Sequence, residues 1–436
     1  MEVRGEHRDG ARRFGRWAAP CILAFTFGCS LYDSRLIEDG AAGVPDRPAA
    51  GTSSVDDAES LVFALNDIFL GQSSELAARI GIDLDGTITT GPSSATCSPP
   101  TDEGEVVGQS VPDGQKGVDN AIGSLLLPTT ETVLPCLEDN LALTQGRGIG
   151  TIILWVEGWN GRDDDAQVSV VMTNSVDGTS EDPSLVGFGR SDPVNLVYLD
   201  RGQRVEAPEP AWGGRDAWFL DPADFDVNES GQPSLDLPKT RQVGGYVTHG
   251  RLVVPLMPET AFKLIAGDGT IPSDGDMTIV VNGGYLMGDL SEDRSRLEHG
   301  LFAGRLTLER LSEITPRVGM CAFDADLMET LLGQFADIPA LPEDDSAGLE
   351  CDAFSVGVTF SGTAGQIGGL GASSRPTLNP CAQTETVIVD SCCPSEWLSG
   401  KSRFETCDTP EKLVKAARFD VQSNVTAIPV PPPAAY

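Results

Sequence analysis

The sequence predicts a mainly β protein, and three observations carry that expectation. Gly and Pro are frequent, at 49 and 30 of 436 residues, so turns are many. Short runs rich in β-branched and aromatic residues recur from residue 148 onward, bounded by Gly, Asp and Asn. Amphipathic helical periodicity is sparse by comparison. A hydrophobic fraction of 40% supplies material for buried cores and argues against a disordered chain.

The chain opens on a secretory signal. Residues 1–28 carry Arg4, Arg8, Arg12, Arg13 and Arg16, then an apolar run from Trp17 to Phe27, then Gly28 before Cys29. That run is too short for a bilayer core, which needs about 20 residues. The segment Thr26-Phe27-Gly28-Cys29-Ser30 resembles the lipobox of bacterial lipoproteins. The resemblance implies lipid attachment at Cys29, and Ser30, in place of the Asp that signals inner-membrane retention, implies an outer-membrane lipoprotein facing the periplasm or the surface. Without lipid the protein would be secreted. Residues 29–55, rich in Gly, Ala, Pro, Ser and Asp, are expected to be a flexible acidic tether. With this leader and tether the chain is similar to the uncharacterised predicted lipoproteins of Gram-negative envelopes, by motif over residues 1–55 only.

Residues 56–147 are expected to form a small mixed α/β subdomain, with helical patterns at 58–69 and 131–143 between Asp-Gly loops. Residues 148–315 predict strands at 151–159, 167–173, 194–199, 217–220, 245–248, 251–256, 277–281 and 301–308. His249-Gly250 reads as a hairpin turn between two of them. Short strands without intervening helices point to a β-sandwich, jelly-roll-like in arrangement. Residues 316–436 open on an amphipathic helix, with Leu327, Leu331 and Phe335 in a stripe beside Met328 and Leu332, and Asp324 as its cap. A strand at 354–360, a Cys-rich region and a Pro-rich tail follow.

Of ten cysteines, Cys21 leaves with the signal and Cys29 is the lipid site. The remaining Cys97, Cys136, Cys321, Cys351, Cys381, Cys392, Cys393 and Cys407 are even in number, as disulfides in an oxidising compartment require. Proximity suggests Cys97 with Cys136 and Cys321 with Cys351, the last four pairing among themselves. Zinc is disfavoured, because no CxxC pair exists and His249 and His299 are the only His beyond the signal.

A formal charge of −35 repels nucleic acid and anionic lipid, which leaves the N-terminal lipid as the membrane contact. With only six Lys, such acidity suits either a high-salt surface or binding of divalent cations. The best local signal is Ile82-Asp83-Leu84-Asp85-Gly86, followed by Asp102, Glu103, Glu105, Pro112-Asp113-Gly114 and Val118-Asp119-Asn120. Asp residues alternating with spacers before a Gly turn aim carboxylates at one point, as calcium requires, so Asp83, Asp85, Asp113, Asp119 and Asn120 are the metal candidates. The competing reading is Asp-Gly turn chemistry in an acid-rich chain. The acidic knots at 163–165 and 274–276 read as solvated loop tips.

No GxSxG elbow, HExxH pair or P-loop is present. Trp155, Trp159, Trp212 and Trp218 suit either sugar stacking or core packing. The expectation is a non-catalytic binding or structural module, calcium-stabilised, that recognises glycan or an envelope protein. The alternative is an extracytoplasmic polysaccharide hydrolase, which needs two carboxylates about 5 to 9.5 Å apart.

Overall fold

The computed structural model describes residues 43–51, 59–71, 79–91, 95–102, 105–106, 108–127, 137–190, 193–266, 275–314, 317, 332–345 and 348–375. Eight of its strands form one ring: β1 (Glu59–Leu65), β2 (Ile152–Trp159), β3 (Asp165–Thr179), β4 (Arg241–Thr248), β5 (Arg251–Pro255), β6 (Gly284–Leu290), β7 (Arg296–Thr307) and β8 (Ala353–Ala364). Each pairs antiparallel with the next in the chain, and β8 returns to pair with β1. The result is a closed, barrel-like up-and-down sheet.

The predicted mainly β class holds, but these pairings are those of a ring and not of two facing jelly-roll sheets. Strand spacing is the same in both architectures, and only the long-range pairings of β3 with β4 and of β8 with β1 close the circle. The ring also recruits strands from all three stretches into which the sequence divides. The helical pattern expected at 58–69 is strand β1, because its backbone fills the gap between β2 and β8 and this pairing outweighs local propensity. The pattern at 131–143 is realised in part as helix α1 (Leu137–Gly146). A short helix α2 (Leu308–Ile314) follows β7. Of the helix expected from Asp324 onward, Leu332 and Phe335 pack against the main core, and 318–331 lie outside the described residues.

Period-2 alternation fills the ring. Phe63 and Leu65 of β1, Leu154 and Val156 of β2, Val168 and Val170 of β3, Val254 of β5, Leu286 of β6, Phe302 and Leu306 of β7, and Val356 and Phe360 of β8 share one buried cluster. Gly300 and Gly357 of the same walls are required by close approach, since a Cβ would stand 2.3 Å from the Phe360 ring and from the Ile80 carbonyl respectively.

The connections divide by end. At one end the turns are short: 160–164, His249-Gly250 and 291–295. His249 and Gly250 both have positive φ, at 50° and 79°, as a tight hairpin turn needs. From the other end leave the four long connections, 66–151, 180–240, 256–283 and 308–352. One of them is a hairpin (Thr260–Ala266 with Gly275–Val281) that lays Phe262, Leu264, Ile279 and Val281 onto the interior core, Phe262 stacking on Phe302 at 4.4 Å between ring centroids. The hairpin and α1 thereby close that end.

The outer wall is covered as well. Ile80 and Ile82 pack on Tyr246, Val253, Met287, Leu301 and Ala303, the outward residues of β4 to β7. Beyond the ring, β3 pairs with Ala217–Leu220, which pairs in parallel with Gln366–Leu370, and Trp218 and Leu220 fold back over Ala64 and Ile153. Residues 43–51, expected as part of a flexible tether, lie against the wall through Val44 and Arg47. No helix among the described residues is long and apolar enough to cross a membrane.

Phe302→Ala removes a fully buried ring from the point where hairpin and barrel meet. The expected cost is about 3 to 5 kcal/mol, read as a lowered urea midpoint with an unchanged denaturant slope.

Candidate functional site

The Asp-rich connection between β1 and β2 lies on the outer wall, and the wall itself positions it. Ile82 and Asp119 form an isolated antiparallel bridge, with the Asp119 N–H donating to the Ile82 carbonyl at 2.9 Å. Asn120 locks this bridge to the barrel. Its Nδ2 donates to the Ile80 carbonyl at 2.7 Å, and its Oδ1 accepts from the N–H groups of Gly123 at 2.8 Å and Gly357 of β8 at 3.1 Å. The side-chain oxygen expected to ligate metal is thus occupied by two backbone donors. Asn120 is a structural tie, a role its Asp-Asn spacing does not disclose.

Arg305 of β7 points outward beneath the loop and is only 1% exposed. It donates to the Leu84 carbonyl at 2.8 Å and the Pro339 carbonyl at 2.9 Å, and grips Asp345 with both terminal nitrogens, at 2.5 and 2.7 Å. All this charge-bearing hydrogen bonding at a buried position is what makes the ion pair tolerable. Sequence reasoning missed Arg305, although an Arg next to the apolar Leu306 in the strand expected at 301–308 is a signal that could have drawn notice.

On this platform Asp83, Asp85 and Asp119 each offer a carboxylate oxygen, all within 4.8 Å of one another. Such a spacing matches opposite ligands of one calcium ion, which binds oxygen at about 2.3 to 2.6 Å. The Asp-Gly turns are real too. Asp83 Oδ1 accepts from the Gly86 N–H at 2.7 Å, and Asp85 Oδ1 accepts from the Thr87 N–H at 2.8 Å. The turns shape the loop, and the loop gathers the acids. Thr96 donates its hydroxyl to Asp85 Oδ2, and Asp119 Oδ2 accepts from the Leu84 N–H at 2.6 Å.

Asp113 stands beside them, taking the Thr89 N–H at 2.6 Å and hydrogen-bonding Asp119. Burial, then the neighbouring Asp85, pushes Asp119 up to about 9. Burial, with a further push from Asp85, raises Asp113 to about 6, and burial raises Asp85 as well. Asp337, held by the Ser355 N–H at 2.9 Å and its hydroxyl at 2.5 Å, is pushed by burial to about 7. Desolvation dominates because the barrel wall excludes water from one side of the cluster.

The other candidates scatter. Asp102 and Glu105 pair in a two-residue hairpin, and Glu103 lies outside the described residues. In the knot at 163–165, Asp165 is fully buried and accepts from the N–H groups of Asn160 and Gln167, while Asp164 takes the N–H of His249 at 3.0 Å. The expected solvated tip is a scaffold for the β2–β3 turn, because a wide turn leaves backbone donors that only nearby carboxylates reach. Asp274 lies outside the described residues. Trp159 and Trp218 are buried, Trp155 donates to Ser60 on the outer wall, and Trp212 sits on Trp218 at 5.1 Å. None of the four touches the acidic cluster in any contact described.

Cys97 is bonded to Cys351, which overturns the pairings Cys97–Cys136 and Cys321–Cys351 expected from proximity. Cys97 and Cys351 are 254 residues apart in sequence, but the connections carrying them leave the same barrel end and pair by backbone, Ser98 donating to Leu349 at 2.7 Å and Cys351 to Ser98 at 2.9 Å. The bond adjoins Thr96 and so borders the cluster. Cys29, Cys136, Cys321, Cys381, Cys392, Cys393 and Cys407 lie outside the described residues.

No family model matches this sequence, and neither a curated protein nor a solved structure matches it.

The raised carboxyls set a pH dependence. Asp113, Asp337 and Asp119 hold protons more tightly in the folded chain than at their ordinary value of 3.8. The stability they contribute is complete below about pH 4 and is lost as pH rises through about 6 and 7 to about 9. In chelator, the melting temperature is expected to fall across that window. Asp119→Asn cannot ionise and keeps an acceptor for Leu84, so it flattens the upper part of the fall; an unchanged slope would assign the titration elsewhere.

Proposed function

We propose that this chain is a non-catalytic module of the bacterial cell envelope, carried on an N-terminal lipid at Cys29 and steadied by calcium at Asp83, Asp85 and Asp119. Asp113 lies close enough to Asp119 to share its proton when the ion is absent and to add charge when it is present. The observation that carries the metal reading is the convergence of three carboxylate oxygens within 4.8 Å on a rigid wall. A divalent ion would replace the mutual repulsion and desolvation that burial imposes on these acids.

The binding face in this reading is the end from which the four long connections leave. In one of them Leu185 and Leu199 stand exposed, at 61% and 68%. They flank the strand pair Val186↔Tyr198, so they oppose each other across that pair. Adjacent exposed aliphatic side chains suit a protein partner better than a hydrated glycan. An interior packed with aliphatic and aromatic side chains also favours recognition by the loops over a ligand held inside the ring.

Thermal unfolding in calcium and in chelator at matched ionic strength tests the proposal. Calcium is expected to raise the melting temperature by several degrees through selective binding to the folded chain. Asp85→Asn should abolish most of that rise, whereas the same change at the distant Asp293 should not. Equal melting in calcium and chelator would reduce the cluster to turn chemistry.

A further inference from the structure

We propose that the outer wall at the β3–β4 seam carries a binding site for a guanidinium group, filled in cis by Arg47, so that the segment at 43–51 latches the pairing that closes the ring. The seam is irregular on both strands. Between the pairs Asp165↔Val247 and Val168↔Gly245, β3 inserts Ala166 and Gln167 opposite the single residue Tyr246. Between Gln242↔Val170 and Gly245↔Val168, β4 inserts Val243 and Gly244 opposite the single residue Ser169. A bulge takes a residue out of the regular ladder and re-aims its polar groups.

Arg47 reaches one inserted residue of each bulge. Its Nη1 donates to the Ala166 carbonyl at 2.7 Å and its Nη2 to the Gly244 carbonyl at 2.5 Å. Gly244 has φ +84°, a left-handed conformation that favours glycine and turns this carbonyl outward. Tyr246, the residue opposite the β3 bulge, sets its ring 4.6 Å from the guanidinium carbon and donates its hydroxyl to the Pro45 carbonyl at 2.5 Å. Val44 packs on the outer cluster that holds Tyr246 and Val253. The segment therefore lies over the seam between β4 and β3.

The chemistry selects a guanidinium. Two carbonyls on different strands need a planar donor with two separated N–H groups, and the ring face takes a delocalised cation. An ammonium supplies a compact point charge without the planar fork or the delocalised face that this site pairs with.

Hydrogen exchange on the full chain tests the latch. Arg47→Ala is expected to lower protection of the Gly245–Val247 and Val168–Val170 amides about three- to tenfold, as loss of an exposed charge-assisted contact implies. Protection across β7 and β8 should stay unchanged. Millimolar methylguanidinium should restore the seam in Arg47→Ala while methylammonium at equal concentration does not, and Arg47→Lys should behave like Arg47→Ala. Unchanged seam protection in Arg47→Ala, a loss spread evenly around the ring, or equal rescue by methylammonium would each overturn the proposal. If Arg47→Ala does not fold, full seam protection in Arg47→Lys has the same effect.

Discussion

Closure of the ring through β3 and β4 is the constraint on which the rest of this structure depends. β3 spends its first half on that pairing and its second half on Ala217–Leu220, so one fifteen-residue strand both closes the barrel and launches the outer sheet. With the seam closed, no strand of the ring has a free edge, and Val168, Val170 and Val247 are sealed from water with the rest of the interior. With it open, two edges and the apolar core would be exposed together. The double bulge is the geometric cost of bringing these strands into register. The Arg47 contact sits where that cost leaves carbonyls to be satisfied.

The wall also explains why acids collect where they do. A closed barrel has an outward face that must be covered, and here Ile80 and Ile82 cover it. Covering it draws the flanking Asp83, Asp85, Asp113 and Asp119 toward a surface that cannot hydrate them. Each finds a backbone N–H or a hydroxyl, and Arg305 holds the loop carbonyl at Leu84 from below. The loop is thus fixed by hydrogen bonds and still electrostatically strained by its own carboxylates. Near neutral pH the proton held on Asp119 relieves part of that strain, and any cation bound there would have to displace it. Opposite, the short-turn end is knit by Asp164, Asp165 and the Arg294 guanidinium over Trp159 at 4.8 Å, a scaffold more than a recognition surface.

Most strands were legible because their physics is local. The runs at 151–159, 217–220, 251–256 and 354–360 alternate or cluster apolar residues, and they form β2, Ala217–Leu220, β5 and β8 almost as expected. The turn at His249-Gly250 was legible for the same reason. The segment at 58–69 was not, since Glu59–Leu65 satisfies a helical spacing and a strand spacing alike, and only partners on both sides decide between them. At the site, Asp83, Asp85 and Asp119 were named by their spacing, but Asn120 was named by the same spacing and serves the barrel instead.

By itself the sequence determined the mainly β class, the faces of the strands, the tight turns and the concentration of acids in one connection, because each follows from side chains a few residues apart. Only the tertiary structure decided that eight strands close into a ring, that Cys97 meets Cys351 across 254 residues, and that Arg47 and Arg305 both brace the outer wall, one over the β3–β4 seam and the other on β7. Those outcomes rest on contacts between segments remote in the chain. They are chosen by which pairing buries the most apolar surface while leaving no backbone edge exposed, and no local pattern encodes that choice.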